Sequence, residues 1–319
     1  MFRAVNCFIL TVVAALSLTI SAHGADATDQ QKSILVTGAS TGIGRNLAET
    51  LASSGYHVYA GARKAEDLAA LDAIDNITAV RLDVRHQEEI AAVAALIRKR
   101  GTGLYALVNN AGVGGGGPVL STPVDEQTFI YDVNVEGVYR VTRTLAPLVI
   151  ESKGRIATTG SIAGTLAWPA GNAYSGSKHW IEAFTDALAG EMAAHGVSVS
   201  VIEPGNYQSH IRRSALLRRF DRIIAEGGEM TPTMEAQLAA TTERELSFKL
   251  PDEVSAAYMH ALFDEAPLRR YMVVPSAEEQ QVTIATKIQQ LVQLNQWGPH
   301  RYSDEQLLAM LTEALEETP

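Results

Sequence analysis

Tyr174 and Lys178 stand four residues apart in "YSGSK", at the start of a helical pattern. At that spacing two side chains share one helix face, one above the other. A phenol with an ordinary pKa near ~10 is a poor acid–base catalyst at neutral pH. A neighbouring ammonium stabilises the phenolate, and a shift of about three units takes roughly 4 kcal/mol of differential interaction. Taken alone, such a pair is common and reads as a surface contact. Ser161 lies thirteen residues upstream, at the end of the strand-like run "GRIATTGS". "NNAG", Asn109 to Gly112, ends another such run, and Asn134 follows inside a helical stretch, where an exposed asparagine has no obvious task. Carboxyl ends of strands are where open α/β sheets bind ligands.

A backbone feature accompanies these side chains. "TGASTGIGR", Thr37 to Arg45, packs three glycines into seven residues directly behind the apolar run "SILV". Glycine suits places where the chain turns tightly or approaches a ligand closely. A glycine-rich turn that opens a helix also presents unpaired N–H groups to phosphate. The segment is not a P-loop, because the Lys-Ser/Thr ending is missing. Its glycines, at 38, 42 and 44, also depart from GxGxxG spacing.

The elements that must position these groups alternate along the chain. Strand-like runs are "SILVTG", "HVYAGAR", "ITAVRLDV", "LYALVNNAG", "GRIATTGS", "VSVSVIEPG" and a late "RYMVVPS", with helical patterns between most of them. Near-continuous apolar strands separated by helices predict a parallel sheet covered on both faces. The fold class expected is α/β, a doubly wound, Rossmann-type single domain over residues 33–276 with a helical C-terminal tail over 277–319. In that tail "SDEQLLAMLTEAL" places Ser303 and Gln306 in capping-box positions, with Leu307, Leu311 and Leu315 on one face. The tail is read either as a helix packed on the domain or as a dimer or membrane contact.

Composition narrows the function. A net charge of −10 argues against a duplex-coating nucleic-acid protein, whose affinity rests on basic residues. The segment "HIRRSALLRRFDR", His210 to Arg222, carries five arginines and is read as a solvated helical face in preference to an anionic-ligand or membrane-facing patch. The single cysteine, Cys7, excludes an internal disulfide framework, and no metal site is expected. At the N-terminus, Arg3 precedes an apolar stretch from Phe8 to Ile20, followed by Ala22-His23-Gly24 and a polar linker over 25–32. This is the layout of a signal peptide or N-terminal anchor over 1–24. An exported or periplasmic product, cleaved or membrane-anchored, is the expectation. A mis-assigned start codon would make the enzyme cytoplasmic.

Together, TGxxxGxG, NNAG, a helical Asn, Ser, YxxxK and a Pro-Gly pair closely resemble the pattern of the classical short-chain dehydrogenase/reductases. The texture around Tyr174 is nearest the retinol and hydroxysteroid dehydrogenase branch. The resemblance spans roughly residues 33 to 276 and departs at Ser209, where the family usually has threonine. It implies that Tyr174 is the general acid or base, that Lys178 holds the nicotinamide ribose and lowers the Tyr174 pKa, and that Ser161 binds the substrate oxygen. Asn134 matches a residue that holds a water between Lys178 and solvent. Cofactor contacts are implied for Gly38, Ser40, Gly42, Ile43 and Gly44, for Asp83 and Val84, for Asn110, Ala111 and Gly112, and for Pro204, Gly205 and Ser209.

NAD-specific sites carry a carboxylate at the end of the second strand. Here Ala62 takes that place, followed by Arg63 and Lys64. An arginine can hold a 2′-phosphate with a charge-assisted pair, so NADP(H) is expected over NAD(H). Trp168, Tyr207, Leu216 and Leu217 point to a small apolar alcohol or carbonyl substrate. Helices around Asn134 and after Tyr174, with Trp180, Phe184 and Leu188, suit a homodimer or homotetramer. The competing readings are a non-catalytic NADP-binding sensor or scaffold on the same fold, and an epimerase or dehydratase of the same family.

Overall fold

Every strand of the sheet is short and runs parallel to its neighbours. The computed structural model describes residues 31–317, which belong to one compact unit beginning at Gln31. The segment read as signal or anchor, Cys7 and the linker up to residue 30 lie outside the described residues. The strands are β1 (Ser33–Val36), β2 (His57–Ala62), β3 (Ile77–Arg81), β4 (Ala106–Asn109), β5 (Arg155–Thr159), β6 (Ser198–Pro204) and β7 (Arg270–Val273). Their order is β3-β2-β1-β4-β5-β6-β7. The expected doubly wound, Rossmann-type sheet is therefore what the chain forms. Its order reverses between β1 and β4, which opens a crevice at their carboxyl ends.

Strand residues alternate between two cores, as a period of two requires. Ile34, Val36, Val58, Ala60, Ala106 and Val108 face one side, with Leu47 and Leu51 of α1 (Gly42–Ser53) and Tyr258 and Leu262 of α9 (Asp252–Phe263). Leu35, Tyr59 and Leu107 face the other, with Ile90, Val93 and Ile97 of α3 (Gln87–Arg100) and Leu145 and Val149 of α5 (Val138–Glu151). Both faces are dry, which is why the strands read as continuous apolar runs.

Three stretches differ from the sequence reading. The helix expected through Asn134 is interrupted: α4 (Val124–Tyr131) passes into a π-helical turn, Asp132–Gly137, before α5. Gly137 faces Val84 there, and an added Cβ would lie 2.5 Å from Val84 Cγ2. The stretch after Tyr207, where the sequence reading has only the arginine-rich helical face, contains two helices, α7 (Ile211–Ala225) and α8 (Pro232–Leu246). Thr231 caps α8 by accepting from Met234 N at 3.2 Å, with Pro232 in the first turn where its missing N–H costs nothing. In the tail, α10 (Ala277–Leu294) precedes α11 (Asp304–Glu317). The capping box of α11 is reciprocal: Ser303 N donates to Gln306 Oε1 at 2.8 Å, and Gln306 N to Ser303 Oγ at 3.2 Å. Leu307 is half-buried, whereas Leu311 and Leu315 are exposed.

The start of β5 depends on one small residue. Gly154 passes so close to Tyr105 that an added Cβ would sit 1.8 Å from its carbonyl oxygen, the same oxygen that accepts from Arg155 N at 2.9 Å. Backbone cannot step aside as a flexible side chain can. Gly154→Ala is therefore expected to lower unfolding stability by about 1–3 kcal/mol, read from urea denaturation; an unchanged midpoint would refute this account of the β4–β5 junction.

Candidate active site

The glycine turn between β1 and α1 is fastened to the end of β4. Gly38 and Gly42 have φ of 66° and 57°, the left-handed region that favours glycine. A Cβ on Gly38 would come within 2.8 Å of Ala111 Cα, and one on Gly44 within 2.3 Å of Asn110 Nδ2. Asn110 Nδ2 donates to Thr37 O at 3.0 Å and Gly38 O at 3.1 Å, while Thr37 Oγ1 accepts from Asn110 N and Ala111 N, both at 3.0 Å. Ser40 is half-buried in the same turn, and Ile43 packs on the α1 side of the sheet. The turn is a cradle that side chains would fill, at the N-terminus of α1. It fits the pyrophosphate of a dinucleotide.

Four polar residues meet at the ends of β4 and β5. Lys178 is buried, and its Nζ donates to Thr159 O at 2.7 Å while lying 5.7 Å from the Tyr174 ring centroid. Burial lowers the Lys178 pKa to about 8, with the negative charge of Glu182 acting the other way. Tyr174 is pushed upward by burial, and a hydrogen bond with Ser161 and the charge of Arg212 pull it back. Arg212 thus supplies an opposing charge that the sequence reading did not name. Ser161 Oγ accepts from Ala163 N at 3.1 Å and donates to Pro204 O at 3.4 Å, a long bond that leaves the hydroxyl weakly engaged.

Asn134 is buried, not exposed. Its Oδ1 accepts from Val113 N at 2.8 Å, and its Nδ2 donates to Val113 O at 2.9 Å and Ser177 Oγ at 3.0 Å. Ser177 Oγ in turn donates to Tyr174 O at 2.7 Å. Asn134, in the π-helical turn, thus ties the loop after "NNAG" to the helix that carries Tyr174, α6 (Asn172–Ala193). Gly112 lies beside this knot: a Cβ there would be 3.5 Å from Asn134 Oδ1 and 3.9 Å from Lys178 Nζ.

At the far end of the crevice, Arg63 follows β2 directly and is more than half exposed, 3.9 Å from Asp83. Burial raises the Asp83 pKa, but hydrogen bonds and charge from Arg85, and the charge of Arg63, bring it to about 2. Asp83 N donates to Glu89 Oε2 at 2.7 Å, and Val84 is buried. These two residues border the end of β3, as the pattern placed them.

The Pro204 to Ser209 segment approaches from β6. A Cβ on Gly42 would be 3.0 Å from Ser209 Cβ, so the segment closes on the glycine turn. On Gly205 it would meet Glu279 Oε2 at 2.1 Å. Glu279 accepts from Asn206 N at 2.9 Å and Asn206 Nδ2 at 2.7 Å, which fastens α10 to this segment. "SAEE" at 276–279 is a capping-box pattern, and Ser276 does cap α10. The Glu279 carboxylate, however, goes to the loop beside the site. Nothing in the sequence distinguishes that outcome.

The arginine-rich helix is not a solvated face throughout. Arg222 pairs with Glu126 at 2.6 Å and Arg218 with the same carboxylate at 3.7 Å, while Arg218 also donates to Gly114 O. Arg212 donates to Asn206 Oδ1. Only Arg219 of the five is exposed outright. Glu126, buried on α4, was the missing signal: its partners lie about a hundred residues away, and no local pattern reveals them.

The family model for short chain dehydrogenase matches residues 32–218. The mitochondrial D-beta-hydroxybutyrate dehydrogenase of Bos taurus is 34% identical over 248 residues, 75% of this chain and 67% of that protein. Retinol dehydrogenase 16 of Rattus norvegicus is 36% identical over 194 residues, 59% of this chain and 61% of that protein. A short chain dehydrogenase/reductase from Burkholderia phymatum, solved in complex with NAD, superposes with a TM-score of 0.69 at 25% identity, covering 86% of this chain and 99% of that one. An actinorhodin polyketide ketoreductase variant with NADPH gives 0.65 at 28% identity, covering 79% and 98%. The chain belongs to the short-chain dehydrogenase/reductase family, near the retinol dehydrogenases, and is an oxidoreductase on a nicotinamide-dinucleotide fold.

Proposed function

We propose that the protein is an NADP(H)-dependent oxidoreductase that interconverts an alcohol carried on an apolar frame with its ketone or aldehyde. The observation that carries this reading is the meeting of Tyr174, Ser161 and Lys178 beside a glycine turn fitted to a dinucleotide. When bound, the nicotinamide supplies or accepts the hydride. In reduction Tyr174 donates its phenolic proton to the carbonyl oxygen, and Ser161 hydrogen-bonds that oxygen as alkoxide character develops. In oxidation the same phenol, deprotonated, removes the alcohol proton. Lys178 and the positive charge of Arg212 favour the phenolate against the burial that opposes it. Asn134 acts through position, by holding Val113 and the backbone around Tyr174.

Preference for NADP(H) is supported by Arg63, which stands where a carboxylate would otherwise meet the ribose and has only a distant, exposed pairing with Asp83. Solved relatives bind either NAD or NADPH, so the fold does not choose. Assembly as a homodimer or homotetramer belongs to the same proposal: Trp180 and Phe184 stack at 4.7 Å on α6 and are only partly buried. So does export or anchoring through the N-terminal segment. The intact Ser161, Tyr174 and Lys178 set favours an enzyme over a non-catalytic sensor, which would need only the cofactor contacts.

Scanning NADPH consumption across aldehydes, ketones and retinoids tests the reading at large. Tyr174→Phe is expected to keep cofactor affinity within about twofold while turnover falls by at least about 100-fold, the scale of a lost general acid. Near-normal turnover in that variant would exclude the mechanism. Arg63→Ala is expected to weaken NADPH by about 10- to 100-fold, the scale of a charge-assisted contact, and to leave NADH unchanged in fluorescence titrations. Equal loss for both cofactors would remove Arg63 as the 2′-phosphate contact. A pH test addresses Lys178 separately. Its folded pKa of about 8 lies below its ordinary 10.5. Between those values the unfolded chain holds the extra proton, so stability rises with pH. Relative to Lys178→Met, the wild type should gain up to about 1.4 kcal/mol per pH unit above pH 8. A flat difference between the two proteins would mean that Lys178 titrates normally.

A further inference from the structure

The arginines between His210 and Arg222 have different occupations, and one of them is unexplained by the fold. Arg218 and Arg222 neutralise Glu126. Arg212, in the first turn of α7, is half-buried, and its charge is felt at the Tyr174 hydroxyl. A guanidinium withdrawn from water ordinarily meets a carboxylate or another anion. The charges of Glu245 and Glu279 reach it, but neither carboxylate forms an ion pair with the fork among the described residues. Glu245 Oε1 accepts from the backbone N–H groups of Arg212 and Arg213, at 2.7 and 3.2 Å. Glu279 is held by Asn206. What the Arg212 fork does have is one hydrogen bond, from Nη2 to the neutral amide oxygen of Asn206, and the face of Phe248, 5.2 Å from Cζ to the ring centroid.

These contacts orient the group without an ion pair. Asn206 fixes one edge and is itself clamped by Glu279 on α10. Phe248 fixes the plane. Asn206 lies two residues beyond Pro204, whose carbonyl accepts from Ser161 Oγ, so the fork is held by the same short segment that borders Ser161. A planar fork fixed on one edge and one face, with no ion pair of its own, is suited to bidentate recognition of a carboxylate.

We infer that Arg212 anchors a carboxylate on the substrate, so that the alcohol or carbonyl turned over at Tyr174 belongs to a hydroxy or oxo acid with an apolar stem. This rests on the oxidoreductase reading for its chemistry but not for its binding. Arg212 then sets specificity: it holds the acid end while Ser161 and Tyr174 hold the oxygen to be reduced. A neutral ester of the same acid leaves the fork unmatched and is a poor substrate.

Calorimetric titration of the full chain with hexanoate and with hexanamide, with and without NADPH, tests the binding. Hexanoate should bind the wild type and bind Arg212→Leu and Arg212→Gln about 10- to 100-fold more weakly, as expected for loss of a charged hydrogen-bonded partner. Hexanamide should bind all three weakly and alike. Arg212→Lys should recover part of the hexanoate affinity, because it restores charge without the fork. In turnover, kcat/KM for 3-oxohexanoate should fall about 10- to 100-fold further than that for its methyl ester in the leucine and glutamine variants, because loss of the Arg212 charge at Tyr174 slows both substrates alike while only the acid loses its anchor. Circular dichroism and thermal melting identify variants that fail to fold, and the glutamine variant keeps size and polarity at the site. Hexanoate affinity unchanged in both variants overturns the inference, as does a loss confined to NADPH, which would give Arg212 to the cofactor. Arg212-dependent hexanoate binding without turnover of any carbonyl compound would uphold the anion site and count against the oxidoreductase reading alone.

Discussion

A buried ammonium is the constraint around which this site is built. Lys178 is withdrawn from water, and the bond from its Nζ to Thr159 O at 2.7 Å is its direct compensation. An unpaired interior charge is costly enough that the partner must be held still. Thr159 is held still. Its Oγ1 donates to Asn110 Oδ1 at 3.1 Å and is hydrogen-bonded to the hydroxyl of fully buried Tyr258. Asn110 in turn grips Thr37 O and Gly38 O. Two residues, Thr159 and Asn110, therefore connect the lysine beside the Tyr174 phenol to the first glycine of the β1–α1 turn. The turn and Lys178 are linked through part-buried bonds that depend on one another.

Much of this was legible in the sequence because it is written in local residue types. Apolar strand runs, glycines that must turn, and Tyr-Lys spacing on a helix each follow from backbone geometry within a few residues. The parallel, doubly wound sheet follows from the alternation of elements, whereas the strand order that opens the crevice between β1 and β4 does not. What the sequence concealed is long-range. Asn134 read as an exposed helical asparagine because its partners, Val113 and Ser177, lie 21 and 43 residues away in sequence. Thr159, Ser177 and Glu279 carry ordinary side chains in ordinary patterns, and only their partners, far away in sequence, give them work. The arginine-rich segment has a solvated composition, yet Glu126 and Asn206 draw three of its five guanidinium groups inward.

The covering segment illustrates how acidic residues organise a basic helix. Glu245 is buried beneath α7 and accepts from its first free N–H groups, an anion at the positive end of a helix dipole. Glu126 receives Arg218 and Arg222 further along the same helix. Glu279 reaches across from α10 to the loop that precedes it. Each carboxylate comes from a different element, α8, α4 and α10, so α7 is fixed at three points by contacts that no two of those elements supply together. Surface ion pairs contribute little, but Glu126 is almost fully covered, with only 9% of its side chain exposed. Removing either arginine there would leave a desolvated charge less well matched.

The same distribution explains why the C-terminal region cannot be treated as an appendage. Its first helix meets the site through Glu279 and touches the loop before Tyr174, where Gln290 Nε2 donates to Thr165 O at 3.1 Å. Its second helix buries no residue and is joined to the first by the bonds of Asn295 with Tyr302, at 2.9 and 3.0 Å. An isolated helix of that length is marginal in water, and the reciprocal capping box at Ser303 and Gln306 is the local interaction that favours it. The tail therefore meets the residues around the site through α10. The helix break after Leu294 falls inside the segment that sequence patterning treats as a single unit.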